Sequence, residues 1–211
     1  MSKAVILAVN AKYVHSSLSA WVLAGGISKY ARIPHKVSVV ESTINQDCND
    51  IADKVAVYLP EIIAISAYIW NAGMLPGLIK LLRKRLPEAV FVLGGPEASH
   101  NALNWLANGA DFVLRGEGER SLPALLDALG NKSDTGHVPG LVSKTQDNSQ
   151  AEQLNDFIDP YNEAYFVALG GRISYLETSR GCPFHCDFCL SRGSRVRFLS
   201  LEDAKDRLNK L

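Results

Sequence analysis

Three cysteines within eight residues, Cys182-Pro-Phe-His-Cys186-Asp-Phe-Cys189, are the densest chemistry in this 211-residue chain. Gaps of three and two residues give a loop tight enough to turn three thiolates to one face, a donor set suited to soft metals. Three thiolates on a four-iron cluster leave one iron open, and a metal needs such an open position to bind substrate. In a reducing compartment a cysteine cluster reads as metal-binding or catalytic rather than disulfide-bonded. With His185 the trio could instead form a Cys3His zinc site, although His185 abuts Cys186 and adjacent residues rarely aim at one tetrahedral metal. A buried trio of free thiols sits poorly beside Arg180, Asp187 and Arg192. Cys48 stands alone and reads as a half-buried structural thiol.

Bulk composition excludes several other classes. Apolar residues make up 47% and charged residues 21%, an ordinary globular mix. Lys+Arg and Asp+Glu balance at 22 each, so no global field steers the chain to nucleic acid or an anionic membrane. The apolar run Ala4–Val9 is too short for a signal-peptide core or a membrane span. A cytosolic protein is expected.

The elements that must position the cysteines alternate from the start. Ala4–Val9, Lys36–Val40, Glu61–Ser66, Ala89–Leu93 and Asp111–Leu114 read as buried strands. Between them lie helical stretches: Ser16–Arg32 with serine capping chemistry, Asn49–Tyr58, Met74–Leu86, Asn101–Asn108 and Glu119–Leu129. Strands apolar on both faces and alternating with helices predict a flavodoxin-like or Rossmann-like α/β fold. Its open five-stranded parallel sheet should run in the order 2-1-3-4-5. Residues 1–130 form this domain. Residues 131–171 read as a linker rich in Gly, Ser, Asp, Asn and Gln, with a short strand at Pro139–Ser143. Residues 172–211 start another domain, with a strand at Ile173–Thr178 leading into the cysteines and a helix at Glu202–Leu211.

In such a sheet, ligands bind at the carboxyl ends of the strands. Four predicted loops leave that edge: Asn10–His15, Ser66–Asn71, Gly94–Glu97 and Arg115–Glu119. Candidate cofactor-binding residues there are Asn10, His15, Ser66, Tyr68, Trp70, Asn71, Gly94, Gly95, Pro96, Glu97, Gly116 and Glu117. Glycines allow close backbone approach to a large flat ligand, and the hydroxyl, amide and aromatic groups suit a cofactor. Ordinary turn chemistry accounts equally well for each residue taken alone.

The cysteine loop, with Thr178-Ser-Arg-Gly181 before it and Phe188 just before the last cysteine, resembles the signature of radical S-adenosylmethionine enzymes. The order of Gly94-Gly-Pro-Glu97, Ala110–Glu119, Pro139–Val142 and the cysteines resembles the branch of that family with an N-terminal cobalamin domain. That resemblance implies that Cys182, Cys186 and Cys189 hold a 4Fe-4S cluster whose open iron takes S-adenosylmethionine, with Phe188 against the adenine. Cleavage to a 5′-deoxyadenosyl radical, driven by a flavodoxin- or ferredoxin-type reductant, would serve C–H functionalisation or C-methylation. It also implies cobalamin over the mouth of a barrel, here only begun, so the chain by itself is expected to be inactive. One departure stands out. Many cobalamin domains carry Asp-x-His-x-x-Gly, whose His ligates cobalt, whereas Asp134-Thr-Gly-His137-Val-Pro-Gly140 has one residue too many and lies in the linker. Cobalamin is therefore expected without a domain histidine ligand, and His15 is the only histidine in a predicted ligand loop. Two other readings stay open: a non-catalytic cobalamin- or nucleotide-binding module, and a zinc-stabilised interaction domain.

Overall fold

The run Ala4–Val9 can bury both of its faces only inside a sheet. In the structure, a computed structural model that describes residues 2–148, 153–189 and 192–211, it lies within β1 (Ser2–Asn10). β1 pairs in parallel with β2 (His35–Thr43) on one side and β3 (Ile62–Ser66) on the other, Ala4 standing opposite Val37 and Ile62. β4 (Val90–Gly94) and β5 (Phe112–Leu114) continue in parallel. The order β2-β1-β3-β4-β5 is the expected one. The count is not, because β6 (Leu141–Val142) adds a sixth strand antiparallel to β5. It comes from the short stretch assigned to the linker. Leu141 and Val142 are fully buried, and this apolar pair covers the otherwise open edge of β5.

Helices cover both faces. α2 (Cys48–Ala56), α3 (Leu75–Arg85), α4 (Pro96–His100) and α5 (Ala102–Ala107) pack on the face carrying Val5, Leu7, Ile63, Phe91 and Leu93. α1 (Leu18–Tyr30) and α6 (Gly118–Gly130) pack on the face carrying Ala4, Ile6, Ala8, Ala64 and Val92. Two glycines let α1 and α6 approach closely. A Cβ on Gly26 would meet the Glu119 carbonyl oxygen at 2.6 Å, and one on Gly118 would meet Leu23 at 2.7 Å. Small residues at the upper end of this face (Ala8 and Ala64) leave room that large ones would fill.

α1 begins just after the Ser16-Ser17 pair. Ser17 is its N-cap, but no side chain caps the helix. The Glu41 carboxylate accepts from the Ser17 amide instead, at 2.7 Å.

The later segment is fastened to this face. α7 (Glu163–Leu169) buries Tyr165 completely, edge-on to Trp21 with ring centroids 5.8 Å apart. The strand expected over Ile173–Thr178 does not form; β7 (Ser179–Cys182) starts after it and pairs antiparallel with β8 (Ser194–Phe198). The backbone of 173–178 is occupied elsewhere. Ile173 N–H donates to Val14 O at 2.8 Å, the Ser16 hydroxyl donates to Ile173 O at 2.7 Å, and the Tyr161 hydroxyl donates to Tyr175 O at 2.6 Å. Tertiary tethers here override β-propensity. α8 (Leu201–Lys210) completes the described elements. Among the described residues, no helix is long and apolar enough to cross a membrane.

Candidate functional site

Strands β1, β3, β4 and β5 end on one edge, so the loops that leave them converge. Together with α1 and α6 they enclose a cleft of about 980 Å³, at the upper end of the range for small-molecule sites. Its floor is apolar, from Ile6, Ala8, Ala64, Val92 and Leu114. Of the residues nominated from sequence, Asn10, His15, Ser66, Tyr68, Trp70, Gly94, Gly95, Pro96, Gly116 and Glu117 line it.

Asn71 and Glu97 do not. Asn71 is 1% exposed and braces the loop from inside. Its Nδ2 donates to Val9 O at 3.1 Å and Ser66 O at 3.0 Å, and its Oδ1 accepts from the Tyr68 amide at 2.9 Å. The Glu97 carboxylate turns to Asn101 Nδ2, at 2.6 Å.

With the loop held, the Tyr68 and Trp70 rings stack at 4.3 Å and 7°. Trp70 Nε1 donates to Val9 O at 3.1 Å, and the Tyr68 hydroxyl donates to Ser19 at 3.3 Å. Gly95 has φ +95°, and a Cβ there would meet Ala67 O at 2.8 Å; this glycine serves the crossing of two backbones. Gly94, free of that constraint, would present a Cβ only 3.7 Å from Leu114 O.

Residues that sequence reasoning missed complete the wall. Ser16, Ser17, Ser19, Ser99 and His100 line the cleft, as do Tyr175, Glu177 and Arg180 from the 172–180 segment. His15 Nδ1 lies 2.5 Å from the Tyr175 hydroxyl. Arg180 forms a bidentate pair with Glu177 at 2.7 and 2.8 Å and reaches Glu119 at 2.5 Å. Burial opposes its charge, yet the Glu177 and Glu119 carboxylates raise the guanidinium pKa above its ordinary value. Burial likewise pushes Glu117 up, but hydrogen bonds from Arg197 and the Leu154 amide and the nearby Arg180 charge hold it below the usual carboxylate range. Thr178-Ser-Arg-Gly181 stood out in the sequence, but nothing there named the carboxylates that Arg180 meets.

Cys182 ends β7, and Cys186 and Cys189 lie in the connection that leads to β8. Cys182 N–H donates to the Ser194 hydroxyl at 2.9 Å, and Gly193 N–H donates to Phe184 O at 2.8 Å. Cys182 and Cys189 are half-buried, while Cys186 is exposed and Phe188 is 91% exposed. The donor chemistry suits a soft metal. However, among the described residues no three His, Cys, Asp or Glu side chains converge as a metal site. The His185 ring packs where a Cβ on Gly193 would stand. His137 of the near-motif is not among the residues lining the cleft.

Comparison with known proteins bears on this geometry. The family model described as B12 binding domain matches residues 4–126, more than half of the chain. The chain is similar to the hopanoid C-3 methylase of Methylococcus capsulatus, 29% identical over 195 aligned residues, covering 85% of this chain and 38% of that protein. It is also similar to the cobalamin-dependent radical SAM methyltransferase TokK of Streptomyces tokunonensis, 28% identical over 148 residues, covering 62% and 22%. Among solved structures, the fold matches the cobalamin-dependent S-adenosylmethionine radical enzyme OxsB with aqua-cobalamin bound. The TM-score is 0.79 at 19% identity, covering 100% of this chain and 31% of that one. The chain thus spans less than half the length of these relatives.

Proposed function

The chain belongs to the B12-binding domain family, and we propose that the cleft at the carboxyl edge of its sheet is where the corrinoid binds. The convergence of four strand-end loops on one apolar-floored cleft of about 980 Å³ carries this reading. The donor set suits the group: an apolar floor for the macrocycle, serine hydroxyls for its polar fringe, and Gly94 and Gly95 where backbone approaches closely. When bound, cobalamin supplies a cobalt centre that can carry a methyl group. The residues of this chain bind and orient it. Ser66, Tyr68 and Trp70 form one wall, braced from within by Asn71, and the 172–180 segment supplies another through Tyr175, Glu177 and Arg180.

The test is a titration with hydroxocobalamin followed by absorption. Saturable binding that weakens roughly tenfold or more in Gly94→Trp, where bulk enters the cleft without straining the backbone, is the expected result. Unchanged binding by that variant would move the site elsewhere.

For the intact protein we read a radical S-adenosylmethionine enzyme acting on an unidentified substrate, through C–H functionalisation or C-methylation. The similarity to TokK supports it, as does the Cys182, Cys186 and Cys189 donor set. A 4Fe-4S cluster on these thiolates would supply one-electron reduction of S-adenosylmethionine, fed by a flavodoxin- or ferredoxin-type donor, and the family resemblance would set Phe188 against the adenine. A second reading is a cobalamin-binding module without redox chemistry, favoured by a family match that spans residues 4–126 and so rests on the sheet domain alone. Anaerobic iron reconstitution separates the two.

A further inference from the structure

Both strands of the cysteine hairpin present an arginine to the sheet domain. Arg180 on β7 and Arg197 on β8 are direct partners in the antiparallel register. Their side chains are only 14% and 8% exposed. Like charges directly opposite each other work against strand pairing, and burial sharpens the conflict because little water screens them.

Glu117 resolves it. Its Oε2 accepts from Arg180 Nη1 at 3.3 Å and from Arg197 Nη1 at 3.0 Å, and its Oε1 pairs with Arg197 Nη2. The same carboxylate accepts the Leu154 amide at 2.9 Å, and Arg197 also donates to Leu154 O. Glu119, two residues on, meets the same Nη1 of Arg180 at 2.5 Å, and Glu177 takes its Nε and Nη2 at 2.7 and 2.8 Å. Glu117 is thus the carboxylate that the two guanidiniums share. Glu117 belongs to the β5–α6 loop and lines the cleft. That loop is tied to the opposite rim, since the Gly116 amide donates to the Ser99 hydroxyl at 3.2 Å.

We propose that Glu117 is a positioning residue that makes the pairing of β7 with β8, and so the presentation of the three cysteines, depend on the conformation of the cleft loop. Without that carboxylate, the hairpin keeps two opposed guanidiniums and loses its main bond to the cleft loop. That filling the cleft tightens the hairpin rests on the corrinoid reading above; the dependence of the hairpin on Glu117 does not.

Hydrogen exchange of the whole chain tests both parts. Glu117→Gln keeps the shape and removes the charge. Amides of Ser179–Cys182 and Ser194–Phe198 should then exchange about tenfold faster, with β1 and β3 unchanged. Arg197→Met alone should loosen the same amides by a smaller factor, roughly threefold. The double variant should match Arg197→Met, tighter than Glu117→Gln, because one of the opposed charges is gone. Losses that multiply in the double variant would overturn the proposal. If Glu117→Gln does not fold, Arg197→Met decides alone, and unchanged exchange in its hairpin would overturn it. In the second arm, saturating hydroxocobalamin should slow hairpin exchange in the wild type but not in Arg197→Met, a residue outside the cleft lining. No binding by the wild type would sink the corrinoid reading and leave the first arm standing. Binding with equal hairpin protection in both proteins would overturn the coupling.

Discussion

Glu41 holds Arg172 on both of its oxygens, at 2.8 and 3.1 Å, across 131 residues of sequence. The same carboxylate accepts Asn10 Nδ2 at 2.9 Å, Trp21 Nε1 at 3.0 Å and the Ser17 amide at 2.7 Å. One carboxylate thus joins β1, β2, α1 and the chain that leads to the cysteine hairpin. Arg172 and Arg180 then tie down both ends of a segment whose Tyr175 and Glu177 face the cleft.

This anchor should be sensitive to acid. Burial pushes the Glu41 carboxyl up, but hydrogen bonds from Arg172, Trp21 and Asn10 outweigh it and leave it below its ordinary value. A depressed carboxyl contributes stability that is fully present above the unfolded value near ~4.3 and is lost as pH falls through the lower folded value. Arg172→Gln leaves a buried carboxylate without its cation and should cost about 3 kcal/mol at neutral pH. Urea denaturation from pH 7 to pH 3 should show the two proteins converging at the acid end. A difference that stays constant with pH would show that Arg172 acts by packing alone.

Adjacent glycines at the end of β4 should behave differently. Gly95→Ala meets a positive φ and the Ala67 backbone, and should lower stability by about 1–2 kcal/mol or more before any ligand is added. Gly94→Ala meets only ordinary contact and should be close to neutral in stability. Thermal melts of the two variants check the contrast, and equal losses would show that the loop is not set by the Gly95 backbone.

The alternation of helix and strand was legible because the central strands β1, β3 and β4 are apolar on both faces, a pattern with few other uses in a soluble chain. The sixth strand was visible as Pro139–Ser143, but its pairing was not: two residues carry no signal for which edge they join. Ile173–Thr178 reads as a strand from its side chains, and only the fold shows that Val14, Ser16 and Tyr161 take its backbone groups. Loop membership placed ten of the twelve cleft nominees on the lining. It failed for Asn71 and Glu97 because a loop position does not give the direction of a side chain. Arg180 and Glu117 lie 63 residues apart, and their meeting depends on how the hairpin packs against α6.

Asn71 is expected to act on the cleft indirectly. Its carboxamide satisfies the Ser66 carbonyl and the Tyr68 amide within its own loop and the Val9 carbonyl at the end of β1, so Asn71→Ala leaves these partly unpaired at a cost of about 2 kcal/mol. Hydroxocobalamin affinity should fall with it, since Tyr68 and Trp70 lose their brace. Tyr68→Ala, by contrast, should weaken binding with little change in stability. Paired melts and titrations distinguish these outcomes, and a stable Asn71→Ala with weakened binding would make Asn71 a direct contact.

The cysteines provide the sharpest division between the two functional readings. Anaerobic reconstitution of the wild type should bind about four irons per chain with the broad absorption of an iron–sulfur cluster. Replacing Cys182, Cys186 or Cys189 with Ala should abolish it. Cys48→Ala should not, because that thiol begins α2, packs against the core, and is pushed up in pKa by burial and by Asp47. Gly181→Ala adds a test of the scaffold rather than the ligands. Gly181 has φ +100° and a Cβ there would collide with the Arg195 carbonyl oxygen, so the variant keeps all three thiols yet distorts the hairpin. Its iron content should fall well below that of the wild type. Equal loss on replacing Cys48 would sink the cluster assignment, and full loading of Gly181→Ala would show that the thiols assemble without the hairpin's register.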